Sequence, residues 1–316
     1  MASDLRAALQ DALGADYTID EELPRGGMSR VFLTTERALN RRVVLKVLDP
    51  ELAATLSAER FKREISLAAR LQHPHIVPLL HAGATDGKLF YTMPFVEGES
   101  LRELMAQERP MSIERVTQIL EEVAGALDYA HAEGVVHRDI KPENVMLFHG
   151  QAVVLDFGIA KALSDAASQD GFTPRLTLQG TSLGTPTYIA PEQAAGDPSL
   201  DHRADIYSVG AVAYEMLCGH PPFHGKSPQA VMIAHAREVP EPIGKRRPDT
   251  PAALAKLVMK CLEKAPERRP QRAAEFLHAL RPNRASGGLR GVLERAPWWL
   301  PWAMAVVATG VAILRW

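Results

Sequence analysis

The densest run of reactive side chains is His137-Arg138-Asp139-Ile140-Lys141-Pro142-Glu143-Asn144. Pro142 bars a helix there. A long helical stretch ends near Gly134 before it, and a short apolar run, "VMLF", follows it. It therefore reads as a loop on a scaffold, where catalytic groups are commonly placed. Asp139 is suited to act as base, or as orienter, for an attacking hydroxyl. Twelve residues beyond Asn144 stands Asp156, closing another β-rich run. Asn144 and Asp156 together offer oxygen ligands for a hard cation such as Mg2+, which prefers one or two carboxylates plus substrate phosphates. Taken singly, each of these residues also reads as a cap or turn residue; the fixed spacing of the set is what points to chemistry.

A second group lies upstream. Phe61, Ile65, Ala68 and Leu71 recur at helical spacing, and Glu64 falls on that same inward face. A carboxylate facing a core needs a cation; otherwise Glu64 is a solvated residue at the edge of the stripe. Lys46 interrupts the apolar run "VVLKVL" and needs a partner as well. A Lys46–Glu64 pair would satisfy both and leave the lysine able to reach a phosphate. Residues 23–32, "LPRGGMSRVF", have the rhythm of a glycine-rich phosphate-covering loop. A G-x-G-x-x-G pattern would place glycine at 24, 26 and 29, where this chain has Pro24, Gly26 and Ser29. The adjacent Gly26 and Gly27 fit an ordinary turn as well. Asp205 opens an apolar helical stretch and reads on these grounds as its N-cap.

The 316 residues suffice for one large domain or two smaller ones, and 46% are hydrophobic. A net charge of -2 argues against nucleic acid as a partner. Cys218 and Cys261 lack metal-site spacing and read as reduced core residues. Ser3–Leu13 reads as a short amphipathic helix ended by Gly14. Strand-like runs follow, "SRVFLTTE", "RRVVLKVLD", "IVPLLHAGAT" and "KLFYTMPFVE", interrupted by one helix, "SAERFKREISLAARLQ". From Ser100 onward helices dominate, among them Ile113–Glu133, Asp205–Cys218 and Ala252–Cys261. A small β-rich lobe before a larger helical one is an α+β arrangement.

No apolar run opens the chain, so no secretory signal is expected. Trp298 to Leu314 carries no charge over 17 positions, the short end of the roughly 17–25 that cross a bilayer as a helix. Trp298, Trp299, Trp302 and Trp316 stand towards its ends. Arg281, Arg284, Arg290 and Arg295 precede it and only Arg315 follows, which places the body of the protein in the cytoplasm. The alternative is a buried core helix, against which a polar, Gly-rich linker argues.

The motifs "VVLK" ending at Lys46, Glu64, "HRDIKPEN", "DFG" (156–158), "APE" (190–192), "DHRADIYSVG" and "RRP" (268–270) occur in this order. In this the chain resembles the bacterial serine/threonine protein kinases of eukaryotic (Hanks) type, over roughly residues 17–280. The resemblance implies a bilobal protein kinase fold with an N-lobe at 17–96 and a C-lobe at 97–280. An N-terminal helix at 1–16 would precede it; a juxtamembrane linker at 281–297 and a transmembrane helix at 298–314 would follow. The kinase domain would lie in the cytoplasm, held to the bacterial cytoplasmic membrane by a single span. Only Arg315 and Trp316 follow that span, so no extracellular sensor domain is expected.

The implied activity is transfer of the γ-phosphate of ATP to protein Ser/Thr hydroxyls, with Mg2+, or Mn2+ in its place. Lys46 would hold the α- and β-phosphates and pair with Glu64. Asp139 would take the hydroxyl proton, Lys141 would neutralise the transferring group, and Asn144 and Asp156 would bind the metal. Gly26, Gly27 and Val31 would cover the nucleotide; Met93 would be the gatekeeper and Pro94–Val96 the hinge. Asp205 would brace the catalytic loop through backbone N–H groups, and Glu192 would pair with Arg269. Thr173, Thr177, Thr181 and Ser182 would be candidate activation-loop autophosphorylation sites, Thr177 and Thr181 preferred, with Arg138 as a phosphate partner and Thr185 serving substrate positioning. Tethering raises effective concentration and would favour a homodimer for trans-autophosphorylation. Pro24, Ser29 and Val44 depart from the family pattern and put ATP affinity in question. The rival readings are a pseudokinase scaffold and a small-molecule phosphotransferase.

Overall fold

A computed structural model describes residues 2–23, 29–48, 61, 65–85, 87–157, 186–225 and 227–280. Pro24, Gly26, Gly27, Glu64, Thr173, Thr177, Thr181, Ser182, Thr185, the linker at 281–297 and the proposed span at 298–314 lie outside the described residues. Among the described residues, no helix is long and apolar enough to cross a membrane.

The N-lobe is a five-stranded antiparallel sheet in the order β1-β2-β3-β5-β4. Its strands are β1 (Tyr17–Glu22), β2 (Ser29–Glu36), β3 (Arg41–Leu48), β4 (His81–Thr85) and β5 (Lys88–Pro94). Strand side chains alternate between faces, and here both faces of the sheet are covered. Val44, Leu48, Tyr91 and Met93 join Phe61 and Ile65 on one side. Val43, Leu45, Val47, Phe32 and Phe90 pack on the other against Leu9 and Leu13 of helix α1 (Ala2–Leu13). This is why β3 reads as an almost unbroken apolar run: Lys46 shares a face with Val44 and Leu48 and is the single charge among them.

Helix α1 does more than cover a face. The Gln10 amide donates to the Tyr17 carbonyl (3.2 Å) and accepts from the Ile19 N–H (2.8 Å), while Arg6 donates to the Ile19 carbonyl (3.0 Å). These bonds clasp the edge strand β1 beside its irregularity between Ile19 and Glu21. Leu9 is fully buried, so Leu9→Ala is expected to destabilise the fold by about 2–5 kcal/mol, read from denaturant midpoints. A loss well under ~1 kcal/mol would mean that α1 is not part of the N-lobe core.

The run at 76–85 is strand only from His81 onward. Pro78 has no N–H to give a ladder. Val77 N–H instead bonds the Val154 carbonyl (3.0 Å), and Ile76 forms an isolated bridge with Val154.

The C-lobe core is built on α3 (Ile113–Ala132) and α5 (Arg203–Cys218), preceded by α2 (Leu101–Gln107) and α4 (Pro191–Ala194). Ser100 and Glu103 form a reciprocal capping box at the start of α2. Every residue of α5 from Ala204 to Leu217 is buried, as expected of a helix apolar nearly all round. A Cβ on Gly210 would lie 2.6 Å from the Cys261 Cβ, so glycine lets the helix Ala252–Cys261 approach α5. The helix begins at Arg203, two residues earlier than its sequence suggests. Asp205 is therefore inside the first turn and is not the N-cap; His202 holds that position without a side-chain capping bond.

A three-stranded sheet in the order β6 (Glu99–Ser100), β7 (Val145–Phe148) and β8 (Gln151–Val154) supports the reactive loop. His149 (φ 48°) and Gly150 (φ 77°) turn β7 into β8, the left-handed pair that a two-residue hairpin demands.

Helix α6 (Pro228–Arg237) buries His235 against Tyr207, whose hydroxyl is 2.8 Å from Nδ1, and against the Phe223 ring. Burial, and then the nearby Lys264 charge, push the His235 pKa down to about 4. The unfolded chain takes up that proton near pH 6.5 and the folded one does not, so stability is full above pH 6.5 and falls as the pH drops towards 4. The loss from this group is on the order of 3 kcal/mol. Denaturation midpoints from pH 7.5 to 4 should fall more steeply for the native chain than for His235→Gln. Parallel curves would contradict this.

Candidate active site

The β7–β8 hairpin carries the reactive loop on its entry side and Asp156 just beyond its exit. Val145 pairs with Val154, and the Leu155 N–H bonds the Asn144 carbonyl (2.9 Å), so Asn144 and Asp156 are brought side by side. A 3-10 turn, Pro142–Asn144, closes the loop.

Asp205, buried completely, organises the other end. Its carboxylate accepts from the backbone N–H groups of His137 (2.8 Å) and Arg138 (2.7 Å) and contacts His131 Nε2 (2.8 Å). Burial alone would raise its pKa; the His131 hydrogen bond and charge, with His137, outweigh burial and hold it below the usual carboxylate value. The bracing role implied by the resemblance is what the geometry contains. Arg138 takes a left-handed backbone (φ 68°), which is sterically costly for a side chain of this size. The Asp205 bond to its N–H and the Gln193 amide bond to its carbonyl (2.7 Å) hold it there.

Asp139 follows. Its N–H donates to His137 Nδ1 (3.2 Å), so His137 carries its proton on Nε2 and donates it to the Leu155 carbonyl (2.7 Å). The Asp139 carboxylate, about half exposed, accepts from Lys141 Nζ (2.6 Å) and Asn144 Nδ2 (3.0 Å). Asn144 Nδ2 also bonds the Asp139 carbonyl (2.8 Å). With its nitrogen so committed, Asn144 turns its carbonyl oxygen to the remaining side. That oxygen and the Asp156 carboxylate are a hard donor set that fits Mg2+.

Asp156 is also left-handed (φ 63°). The next residue, Phe157, is buried with its ring edge-on to His137 (centroids 4.8 Å apart), which leaves Asp156 facing the N-lobe. There Lys46 Nζ bonds Oδ2, and the Tyr91 hydroxyl donates to Oδ1 at 3.0 Å. Burial pushes the Asp156 pKa up, but Lys46 and then Tyr91 pull it below the ordinary value, so the carboxylate stays charged. The Lys46–Asp156 pair spans 110 residues of sequence. Whether Glu64 joins Lys46 falls outside the described residues.

Val31, Val96, Met146 and Leu155 pack on the cluster that buries Val44 and Met93. Together they are apolar walls contributed by both lobes. Met146 and Leu155 escaped the sequence reading; alternation along β7 is the signal that could have found Met146. Pro94 ends β5 opposite Val43, and the Phe95 ring lies under the Arg42 guanidinium (4.2 Å). A further network was not legible: Arg102 bonds Glu143 (2.9 Å), Glu215 (2.8 Å) and the Tyr188 hydroxyl, and Tyr188 also donates to Glu215. It joins α2, the reactive loop and the stretch before α4. Below it, Arg269 meets Glu192 through two bonds (2.6 and 2.7 Å), the pairing that the motifs imply.

A sheet lobe and a helical lobe, with a braced Asp139 loop between them and Lys46 facing Asp156, define a protein kinase catalytic domain. The chain matches the protein kinase domain family over residues 17–280 and belongs to that family, whose members use ATP and Mg2+. It is similar to the serine/threonine-protein kinase PknB of Mycobacterium tuberculosis (strain ATCC 25618 / H37Rv), 42% identical over 266 residues, covering 82% of this chain and 41% of the relative. It is similar also to the serine/threonine-protein kinase pkn3 of Myxococcus xanthus, 40% identical, covering 82% and 48%. A probable serine/threonine-protein kinase of Streptomyces coelicolor is 40% identical, covering 84% of this chain and 39% of its own length. The chain thus spans less than half the length of the relatives it matches.

Proposed function

We propose that this chain is an ATP- and Mg2+-dependent serine/threonine protein kinase acting in bacterial signalling. The observation that carries the reading is the Asp139 carboxylate, bridged by Lys141 and Asn144 and presented at half exposure next to a charged Asp156. Phosphoryl transfer asks for positioning and charge neutralisation more than covalent chemistry. Lys46 leaves Asp156 to take the α- and β-phosphates and pairs with Glu64. Val31, Val44, Met93, Val96, Met146 and Leu155 enclose the adenine, which the Pro94 carbonyl and Val96 N–H address. Gly26 and Gly27 cover the phosphates. Asn144 and Asp156 hold the metal, which when bound neutralises phosphate charge. Asp139 accepts the proton of a protein Ser or Thr hydroxyl as its oxygen joins the γ-phosphorus and ADP departs. Lys141 offsets charge on the moving group.

The domain occupies 17–280, after an N-terminal helical segment at 1–16. A linker at 281–297 and a single transmembrane helix at 298–314 tether it to the cytoplasmic face of the inner membrane. Tethering favours a homodimer that phosphorylates Thr177 and Thr181 in trans. The supports are the uncharged stretch and the Arg bias beside it. The test is incubation of the full chain with labelled ATP and Mg2+, with mapping of the phosphosites and fractionation of the cells. Label between residues 158 and 185 and recovery in membranes are expected. Label absent, with no nucleotide binding, would favour a pseudokinase scaffold. Transfer to small alcohols but not to peptides would favour the small-molecule enzyme. Recovery wholly in the soluble fraction would remove the anchor.

A further inference from the structure

Tyr91 stands directly across from Lys46 in the β3–β5 ladder, so the two side chains share a face. Both end on Asp156, on different oxygens: Tyr91 on Oδ1 at 3.0 Å, Lys46 on Oδ2. Tyr91 is 3% exposed, and its hydroxyl is fixed by burial rather than by solvent. Asp156 sits in a left-handed backbone conformation (φ 63°).

This arrangement has a consequence once Lys46 turns to phosphate. Oδ2 then loses its donor and becomes available to a cation, while Oδ1 keeps Tyr91. We propose that Tyr91 is a positioning residue for the metal: its hydroxyl tethers Oδ1 and so aims Oδ2 of Asp156 at Mg2+. The proposal rests on the reading of Asp156 as a metal ligand.

The test uses the full chain with Tyr91→Phe, which keeps the buried ring. Two Mg2+ titrations are run: phosphoryl-transfer rate, and the Mg2+-dependent part of the thermal stabilisation by ADP, which needs no turnover. Loss of one hydrogen bond to a charged group predicts a rise of about tenfold in the Mg2+ midpoint of both. The maximal rate at saturating Mg2+ should change much less, and metal-free ADP binding should not change. Tyr214→Phe, which loses a hydroxyl bond to the Glu241 carbonyl (3.0 Å) in the C-lobe, should leave both midpoints in place. Unchanged midpoints in Tyr91→Phe, lowered ones, or a fall in melting temperature alone would overturn the proposal. If the native chain transfers no phosphate yet shows the Mg2+ midpoint with ADP, the kinase reading fails while a shifted midpoint still supports Tyr91. If Mg2+ has no effect on ADP binding in the native chain, the Tyr91 proposal falls as well.

Discussion

Asp139→Asn will lower the rate of phosphoryl transfer by about 10²–10⁴-fold, the range a positioned base supplies. The replacement is nearly isosteric. It leaves an oxygen for Lys141 and Asn144, so the loop keeps its shape, and Asp205 still holds His137 and Arg138 from below. What it removes is the ability to receive the hydroxyl proton. ADP binding, followed by thermal shift, should therefore survive while initial rates with labelled ATP collapse. Lys46→Met should weaken both, because that side chain meets Asp156 and is proposed to turn to phosphate when ATP binds. Retention of transfer within a few-fold in Asp139→Asn would remove Asp139 from the proton path.

Arg269→Met should have the largest effect on stability. The guanidinium is fully buried and makes two bonds to Glu192. It also donates to the carbonyls of Glu263 (2.8 Å), Arg203 (2.9 Å) and Lys264 (2.9 Å), and it lies over the Tyr207 ring (4.9 Å). Its removal leaves a largely buried carboxylate without its cation and three carbonyls without this donor. Breaking a buried pair from one side destabilises by about 3–5 kcal/mol. Adding Glu192→Gln should restore part of the loss, since the buried charge then goes too. Urea midpoints of the single and double variants measure this. Equal midpoints for both would mean that the ion pair is not the source. Activity should fall as well: Glu192 and Gln193 share α4, and Gln193 holds the Arg138 carbonyl of the reactive loop.

The reactive loop was legible in the chain because its chemistry tolerates few residue types at fixed separations. Asp139, Lys141, Asn144 and Asp156 can be named without coordinates for that reason. The strands at 29–36, 41–48 and 88–94 and the buried helix α5 were legible too, as β-rich runs parted by turns and as a helix apolar nearly all round. Helix α1 announced itself by periodicity, but periodicity carries no address, and only the fold placed Leu9 and Leu13 on the outer face of the N-lobe sheet.

Helix ends are poorly coded when no side chain caps them. Asp205 is a favourable N-cap type and stands at the right place by pattern, yet tertiary bonds drew it into the first turn and onto the loop 67 and 68 residues before it. Pro78 broke a strand that hydrophobicity alone continued. Partnerships across the lobes were the least legible. Lys46 and Tyr91 converge on Asp156 from 110 and 65 residues away. No local propensity records that meeting, because side-chain direction on a strand is set by the pleat, and its target by how the two lobes' strands fold over one another. Residue types thus settle which chemistry the chain can carry, while the packing of sheet on loop decides which oxygen each donor holds.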